Sequence, residues 1–245
     1  GFWATLSLNI PDFTRYCKSQ RDQALGQLIG LPTTMTLFSF IGIAVTSSTI
    51  VIFSKVISDP IELVGQLGST FAVVIALIAL TIATLSTNIA ANVVSPANGF
   101  SNISPRKISF KTGGIITCVI GIVIMPWRLY NDLGDYIFTW LIGYSALLGP
   151  IAGIMLCDYF FVRRTQLSSD DLYKEDGIYR GFNIKAIVVL VIAVAPNIPG
   201  FYNAASHTST FHPVFDQIYS YAWFIGITIA IGLYAILHLG ERQRA

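Results

Sequence analysis

The chain has 245 residues, of which 53% are hydrophobic and only 11% are charged. An ordinary soluble domain has about 25% charged residues, so this composition excludes one and indicates a membrane protein with several spans, for which lipid is the solvent. The formal net charge of +2 indicates nothing by itself, and no basic cluster suggests a nucleic-acid partner.

The chain begins with "GFWATLSLNI", a stretch that ends before Pro11 and Asp12. A membrane-spanning helix needs about 20 residues, so this stretch predicts half a span. Because the chain also lacks an initiator Met, we expect it to be the C-terminal part of a longer protein. A discontinuous helix of this kind is where transporters place their binding sites.

Trp3 is the Trp of this half-span. A membrane Trp most often belongs to the aromatic belt at the interface. Trp3, however, precedes the Pro-Asp pair by about nine residues, or about 13 Å of helix, which places it near the middle of the membrane. At that depth its indole offers a flat stacking face to a ligand.

Six longer apolar runs follow, separated by short charged loops, at residues 27–53, 71–94, 113–127, 136–162, 184–198 and 218–239. The third run is short but passable as a span. With the half-span, these runs predict about seven spans in a single transmembrane transporter domain covering residues 1–245. Residues 59–68 predict a short lid helix over the outer vestibule, and residues 165–185 predict a solvated cytoplasmic connector.

The lysines and arginines give these spans an orientation. If the loop at residues 11–26 is cytoplasmic and the sides alternate, 13 of the 15 Lys and Arg residues are cytoplasmic, and only Lys55 and Arg128 are outside. The positive-inside rule therefore predicts a cytoplasmic loop at residues 101–111, an extracytoplasmic loop at residues 203–212 and a cytoplasmic C-terminus. We expect a multi-pass protein of the plasma membrane.

The second run ends in a polar stretch, "STNIAANVVSPANG" at residues 86–99, where a lipid-facing helix should carry nothing polar. On a helical wheel with Ala83 at zero and about 100° per residue, Ile82, Leu85 and Ile89 share one apolar strip for lipid. The remaining arc is expected to face protein or a cavity. Pro96 is expected to close the segment.

The polar groups of this arc form two sets. Ser86 and Thr87, at about 300° and 40°, lie near Ala83, and hydroxyl and carbonyl oxygens suit a small hard cation such as Na⁺. Asn88 and Asn92, at about 140° and 180°, stack four residues apart, and their carboxamides suit an amide-like ligand. The alternative is helix packing, because Ser, Thr and Asn beside small residues often hold spans together.

Other motifs favour structural roles. "GPIAG" at residues 149–153 carries two glycines four residues apart and predicts close helix packing. Asp158 precedes Arg163 and Arg164 and is expected to join a structural ion pair rather than to carry protons. Asp12 is expected to cap a helix end rather than to form an inner gate. Neither a disulfide framework nor a zinc site is predicted from the positions of Cys17, Cys118 and Cys157.

Four motifs, in order along the chain, resemble the nucleobase:cation symporter-1 family: "WATLSLNIPDFTRY", "STNIAAN", "SPRKISFKTGG" with "IMPW", and "GPIAGIMLCDYFFVRR". The family includes bacterial hydantoin and allantoin transporters and fungal and plant nucleobase permeases. The resemblance covers the first four-fifths of the chain. It implies an all-α integral membrane protein with the leucine-transporter-like five-plus-five inverted repeat fold, of which this chain holds the second repeat plus two C-terminal helices.

The resemblance also implies roles for single residues in substrate binding. Trp3 is expected to stack on a planar heterocycle, with the backbone of Phe2 beside it. Asn92 is expected to hydrogen-bond the edge of the ring, with Asn88 nearby. Further substrate partners, including a second Trp and a Gln, are implied on spans that precede this chain.

The same resemblance implies a cation site. Ala83, through its carbonyl, Ser86 and Thr87 match the positions of the family's sodium site. Na⁺ is thus a possible coupling ion, with H⁺ as the alternative, and no other cofactor is expected.

The sequence therefore predicts a secondary active transporter, not an enzyme, that imports a planar nitrogen heterocycle such as allantoin, hydantoin, uracil or another nucleobase. A vitamin-type heterocycle of the same planar shape is an open alternative. A channel is less well supported because repeated or symmetric pore elements are absent from the sequence. An intramembrane enzyme would need a nucleophile or an acid–base pair at depth. The expected partners are the substrate, the coupling cation, the lipid bilayer and N-terminal spans of the same protein.

Overall fold

A computed structural model of the chain describes residues 4–66, 68–125, 127, 135–174, 177–179 and 181–239. The chain divides into two compact units, Ile10–Val123 and Gly1–Asn9 with Ile124–Ala245. Each unit is described by itself below. The single transporter domain stays a prediction.

The described residues are organised as helices joined by short connections. In chain order these are α1 (Ala4–Asn9), α2 (Pro11–Thr14), α3 (Gln20–Phe53), α4 (Pro60–Gly65), α5 (Thr70–Asn92), α6 (Val94–Ile103), α7 (Phe110–Ile124), α8 (Ile142–Cys157), α9 (Ile184–Val194), α10 (Ile198–Ser206), α11 (Val214–Ser220) and α12 (Ala222–Leu237). Single π-helical turns at Tyr136–Leu141 and Asp158–Val162 extend α8 at both ends, and 3-10 turns lie at Asp171–Tyr173 and Ala195–Asn197.

Four helical segments of the described chain are long and apolar enough to cross a membrane: Gln20–Phe53, Thr70–Ile103, Ile137–Val162 and Ile184–Ser206. α11 and α12 add a fifth if this pair, which bends by 83°, crosses as one broken span. α7 is apolar but has only 15 residues, as the short third run predicted. The predicted runs are therefore found in order along the chain, although several have different ends.

In the unit Ile10–Val123, α3 begins before the predicted run because its first turn is capped. The side chain of Ser19 accepts a hydrogen bond from the amide of Asp22 at 3.1 Å, and Asp22 places a negative charge in the first turn. The helix continues past Pro32 and ends at Phe53, where Ser54 takes a left-handed conformation with φ of 55°.

A break at Val93 separates α5 from α6, and the expectation that Pro96 closes the segment is wrong. Proline has no amide hydrogen, so Pro96 cannot donate to the carbonyl of Asn92 and the first helix ends there. Pro96 falls in the first turn of α6, where an amide donor has no partner within the helix. The amide of Ala97 then donates to the carbonyl of Val93 at 2.9 Å, and the segment continues to Ile103.

In the unit that contains residues 124–245, α8 and α12 pack backbone to backbone. A Cβ atom placed on Gly149 would lie 2.7 Å from the carbonyl oxygen of Trp223. A Cβ atom on Gly153 would lie 2.7 Å from the carbonyl oxygen of Ile227. Only glycine fits at such separations, so the predicted packing role of the "GPIAG" motif is confirmed.

The partner helix has a glycine of its own at this contact. A Cβ atom on Gly226 would lie 2.7 Å from Cδ of Pro150. Next to the contact, a buried cluster joins α8, α9 and α12 through Cys157, Val189, Ala193, Ala230 and Tyr234. These three helices therefore form the core of this unit.

The last two predicted runs differ from the structure in length and shape. The run predicted at 184–198 continues to Ser206, because Pro196 and Pro199 each fall in the first turn of a new helical segment. Residues 203–206 accordingly belong to α10 and not to the predicted loop. The run predicted at 218–239 begins at Val214 and bends at Tyr221, between α11 and α12.

The predictions for residues 59–68 and for Asp12 have different outcomes. α4 lies within residues 59–68, as predicted, and Asp59 caps it by accepting a hydrogen bond from the amide of Ile61 at 2.8 Å. Its role as a lid stays a prediction. The prediction that Asp12 caps a helix is wrong: Pro11 is the first residue of α2, so Asp12 lies inside the first turn.

The prediction for Asp158 is confirmed, because Nε of Arg163 donates to Oδ2 of Asp158 in an ion pair. The three thiols are free, with Cys157 buried and the other two exposed.

Candidate functional site

The predicted polar residues lie together on the C-terminal half of α5. The helix begins after Ser69, whose side chain accepts a hydrogen bond from the amide of Ala72, and its first half is almost entirely apolar. Five predicted site residues follow and all are exposed in this chain: Ala83, Ser86, Thr87, Asn88 and Asn92.

Asn88 and Asn92 form a direct pair on this helix. Nδ2 of Asn92 donates a hydrogen bond to Oδ1 of Asn88 at 3.0 Å, as their spacing of one helical turn allows. A carboxamide has two donor hydrogens and a two-lone-pair acceptor oxygen, so this bond uses only part of the pair's capacity. Oδ1 of Asn92 is an acceptor and Nδ2 of Asn88 is a donor, which are the groups that the predicted binding of an amide-like ligand requires.

Ser86 and Ala83 form a second, separate contact. Oγ of Ser86 donates to the carbonyl oxygen of Ala83 at 3.0 Å. Two of the three groups predicted for the cation site therefore already present neighbouring oxygen atoms. Thr87 follows on the next position of the same exposed segment.

The two contacts lie on different edges of the helix. At about 100° per residue, Ser86 and Asn92 are separated by about 120° around the axis. The hydroxyl–carbonyl contact and the carboxamide contact are therefore separate on the helix surface, and their roles in binding stay predictions. Chemically, the first set offers oxygen atoms alone, whereas the second offers donors and acceptors together.

The apolar strip of the same helix is also exposed. Ile82, Leu85 and Ile89 are 63%, 59% and 46% exposed, respectively. Such a strip on a helix of membrane-spanning length suits contact with lipid or with other spans. The remaining predicted substrate residues, Phe2 and Trp3, lie outside the described residues.

Just beyond the break at Val93, α6 carries a buried polar cluster that the sequence reasoning missed. Ser95 and Asn98 are only 8% and 9% exposed, and Nη2 of Arg15 donates to Oδ1 of Asn98 at 3.5 Å. α7 approaches the same turn so closely that a Cβ on Gly113 would lie 2.6 Å from the carbonyl oxygen of Ala97. The sequence signal was the spacing of Ser95 and Asn98, which places both on one face of a helix.

A second missed cluster lies between the end of Ile137–Val162, the start of Ile184–Ser206 and the end of α12. The hydroxyl of Tyr234 donates to Oδ1 of Asp158 at 2.9 Å, and Nδ2 of Asn183 donates to the hydroxyl oxygen of Tyr234 at 2.8 Å. Oδ1 of Asn183 caps α9 by accepting from the amide of Ala186. The sequence signals for the single positions were Asn183 directly before the apolar run at 184–198 and Tyr234 in the last turns of the run at 218–239.

Arg163 completes this cluster from just outside its span. Burial lowers the pKa of the Arg163 guanidinium, but the hydrogen bond and the charge of Asp158 raise that pKa, and the net result is a rise. The arginine therefore stays charged at all physiological pH values.

Metal-binding groups of the usual kind were also considered. Within the described ranges, no three His, Cys, Asp or Glu side chains come together in a group that could hold a metal ion. The hydroxyl and carbonyl oxygens of α5 are a different class of donor, suited to a hard monovalent cation.

Comparison with known proteins places the chain in a family. Residues 1–226 match the family model described as permease for cytosine/purines, uracil, thiamine and allantoin. The chain is 48% identical to the purine-uracil permease NCS1 of Arabidopsis thaliana, over 99% of this chain and 42% of the relative. It is 40% identical to the allantoin permease of Bacillus subtilis, over 97% of this chain and 47% of the relative.

Two further comparisons agree with these. The hydantoin permease of Microbacterium maritypicum is 36% identical, over 80% of this chain and 42% of the relative. A solved structure described as the inward-facing conformation of Mhp1 is 30% identical and matches with a TM-score of 0.52, over 81% of this chain and 42% of that one. The chain thus spans less than half the length of each of these proteins, and its helices have the leucine-transporter-like fold expected from the sequence.

Proposed function

The chain belongs to the family of permeases for cytosine and purines, uracil, thiamine and allantoin, and we propose that it carries substrate- and cation-binding residues of a secondary active importer of planar nitrogen heterocycles. The family and the relatives are permeases rather than enzymes. The protein is therefore a multi-pass membrane protein with a small-molecule substrate.

The observation that carries the proposal is the pair formed by Asn88 and Asn92. Planar heterocycles such as uracil, allantoin and hydantoin all present an N–H next to a C=O. A carboxamide fixed by its neighbour can donate to that carbonyl and accept from that N–H at the same time. The names of the relatives, which include purine-uracil, allantoin and hydantoin permeases, support the same chemical class.

Trp3 remains the proposed stacking residue for the face of the ring, with the backbone of Phe2 beside it. This part of the proposal rests on the family resemblance alone. An indole is a large planar apolar surface, and stacking between flat rings favours heterocycles over flexible solutes of equal polarity.

We also propose a coupling cation bound by the carbonyl of Ala83 and the hydroxyls of Ser86 and Thr87. The 3.0 Å contact between Ser86 and Ala83 supports the grouping of these oxygens. Na⁺ suits such a set because it prefers oxygen ligands, whereas H⁺ coupling would need no fixed ligand set. A vitamin-type substrate remains the second candidate because the family description itself includes thiamine.

The orientation belongs to the same proposal. The distribution of Lys and Arg supports a cytoplasmic C-terminus. The plasma membrane is the proposed location.

Uptake by cells that express the full-length gene product tests the function. Radiolabelled allantoin, hydantoin, uracil, cytosine, adenine and thiamine are supplied one at a time, in Na⁺ buffer and in choline buffer. We expect saturable uptake of at least one planar heterocycle, inhibited by unlabelled members of its own class. Protein that reaches the membrane but takes up none of these solutes above the vector control would contradict the proposal.

A further inference from the structure

A cavity of about 320 Å³ lies between α8, α10 and α11, within the unit that contains residues 124–245. Small-molecule sites in proteins have volumes of roughly 300–1,000 Å³, so this cavity suits a ligand built on one or two rings. Among the described residues that line it, none belongs to α5. The cavity is therefore separate from the residues proposed above to bind substrate and cation.

Aromatic rings form much of the wall. Trp140 and Tyr144 are 47% and 55% exposed and lie at the open side, whereas Phe201 and Tyr219 pack together with ring centres 6.0 Å apart. The hydroxyl of Tyr219 donates to the carbonyl oxygen of Thr139, which holds this ring in place. Walls of this kind favour a flat, largely apolar ligand.

One wall residue, Asn197, is polar and almost completely buried. It is 1% exposed, and neither Nδ2 nor Oδ1 has a hydrogen-bond partner among the described residues. The residue also lies well inside the membrane-length segment Ile184–Ser206, where an unpaired polar group bears the full cost of desolvation. Such a carboxamide requires a partner that can both donate and accept.

Helix capping does not explain this asparagine. Asn197 is the residue that precedes α10, a position where an Asn side chain commonly accepts from an amide of the first turn. Its side chain makes no such bond, and Pro199 in that turn has no amide hydrogen to offer. Because Asn197 lines the cavity and the terminal torsion of an Asn side chain has a broad range, a small rotation turns the carboxamide towards a ligand.

We propose that this cavity binds a small aromatic compound that carries a single amide group. The aromatic ring packs among Trp140, Tyr144 and Phe201. The amide N–H of the ligand donates to Oδ1 of Asn197, and its carbonyl accepts from Nδ2 of the same residue. One amide matches the site because Asn197 is the unpaired carboxamide of the wall, and a second polar group would be buried against apolar surface.

Ligand binding by the purified full-length gene product in lipid nanodiscs tests this site. Benzamide carries one carboxamide on a ring, and acetophenone has nearly the same shape with a methyl group in place of the amide nitrogen. Each compound is titrated separately and followed by saturation-transfer difference NMR, with empty nanodiscs as the blank. We expect saturable binding of benzamide, about tenfold tighter than that of acetophenone, because only benzamide donates to Oδ1 of Asn197.

Three variants locate the amide contact. Asn197→Leu should bind the two compounds with equal affinity, and its thermal midpoint should equal or exceed that of the wild type, because leucine of similar volume leaves no unpaired polar group. Asn102→Leu removes an exposed carboxamide of α6 and is the matched control, which should keep the tenfold preference. Asn92→Ala should also keep it, since α5 does not line the cavity.

A fourth variant tests the aromatic wall independently of Asn197. Trp140→Ala removes an exposed ring, so it should fold normally and weaken the binding of both compounds. Equal affinities in the wild type, a preserved preference in Asn197→Leu or wild-type binding in Trp140→Ala would each overturn the proposal. Loss of the preference in Asn92→Ala would overturn it by placing the amide at α5. A lower midpoint in Asn197→Leu would do so by showing that the carboxamide has a structural partner in the full-length protein.

Discussion

At the scale of single residues, Asn92 is the side chain on which the proposed recognition depends most. It can meet both polar groups of a heterocycle edge, and its neighbour Asn88 already accepts one of its hydrogen bonds. Ser86 and Ala83 show the equivalent pairing for the proposed cation. Both pairs lie on exposed positions of α5, where substitutions should not disturb a packed core of this chain.

Asn92→Ala should abolish uptake while the protein still reaches the membrane. The substitution removes a donor and an acceptor that are proposed to face the substrate, and each unmatched polar group costs about 1–3 kcal/mol. Concentration-dependent uptake measures the loss. The control is Asn102→Ala, which removes an exposed carboxamide from α6. Wild-type affinity in Asn92→Ala would remove this residue from the substrate site.

Thr87→Ala should weaken the dependence on Na⁺ and leave the substrate contacts intact. Because coupling between two ligands is reciprocal, high Na⁺ should restore the apparent substrate affinity, whereas no Na⁺ concentration should rescue Asn92→Ala. Uptake measured over a range of Na⁺ concentrations separates the two variants. Thr81→Ala is the control, since its hydroxyl donates to the carbonyl of Leu77 within the same helix. An unchanged ion dependence in Thr87→Ala would indicate that the hydroxyls of Ser86 and Thr87 serve helix packing. It would also favour coupling to H⁺.

At the scale of elements, the contact between α8 and α12 is the best-defined helix pair of the described chain. Gly149 and Gly153 of α8 contact the backbone of α12 directly, and Gly226 of α12 contacts Pro150 of α8. Small residues at matching positions allow this approach, which gains dispersion contacts along both helices. Any added atom must therefore separate the helices or strain them.

Gly153→Ala should destabilise the protein by about 1–3 kcal/mol, because the new methyl group would overlap the backbone of α12. Gly232→Ala is the matched control: it lies in α12 where an added Cβ atom would meet open space, and alanine favours a helix over glycine by up to about 1 kcal/mol. Thermal unfolding in detergent should show a lower midpoint for the first variant and an equal or higher midpoint for the second. Equal midpoints for Gly153→Ala and the wild type would mean that the helices separate at little cost.

At the scale of the whole molecule, the distribution of charge along the chain sets its expected orientation. Each unit contributes helices of membrane-spanning length, and the connections between them carry nearly all the Lys and Arg residues on one predicted side.

Cysteine labelling of intact cells tests the orientation. In a background without other cysteines, Ser209→Cys should react with an impermeant maleimide, whereas Ser104→Cys should react only after the cells are permeabilised. The first position is exposed and lies in the connection after α10, and the second ends α6. Labelling of Ser104→Cys in intact cells would invert the whole predicted topology.

Much of this architecture could be predicted from the sequence because span location depends on hydrophobicity alone. The order of the spans, the "GPIAG" contact and the ion pair of Asp158 all follow from local patterns. The continuation past Pro96 could not, since a proline is tolerated or disruptive according to whether it falls in the first turn of a helix. The bond from Tyr234 to Asp158 joins residues far apart in the sequence, and a single sequence carries no signal for such pairing.

The contact between α8 and α12 also has a mechanical consequence. Helices that meet through long side chains can slide over each other, because the side chains change rotamer as they pass. Gly149 and Gly153 meet the carbonyls of Trp223 and Ile227, and a backbone carbonyl in a helix has no rotamer to change. Sliding would drive the glycine Cα atoms of α8 against the carbonyl oxygens of α12. The two helices should therefore move as one rigid body. Any transport motion that tilts α8 would therefore carry α12 with it.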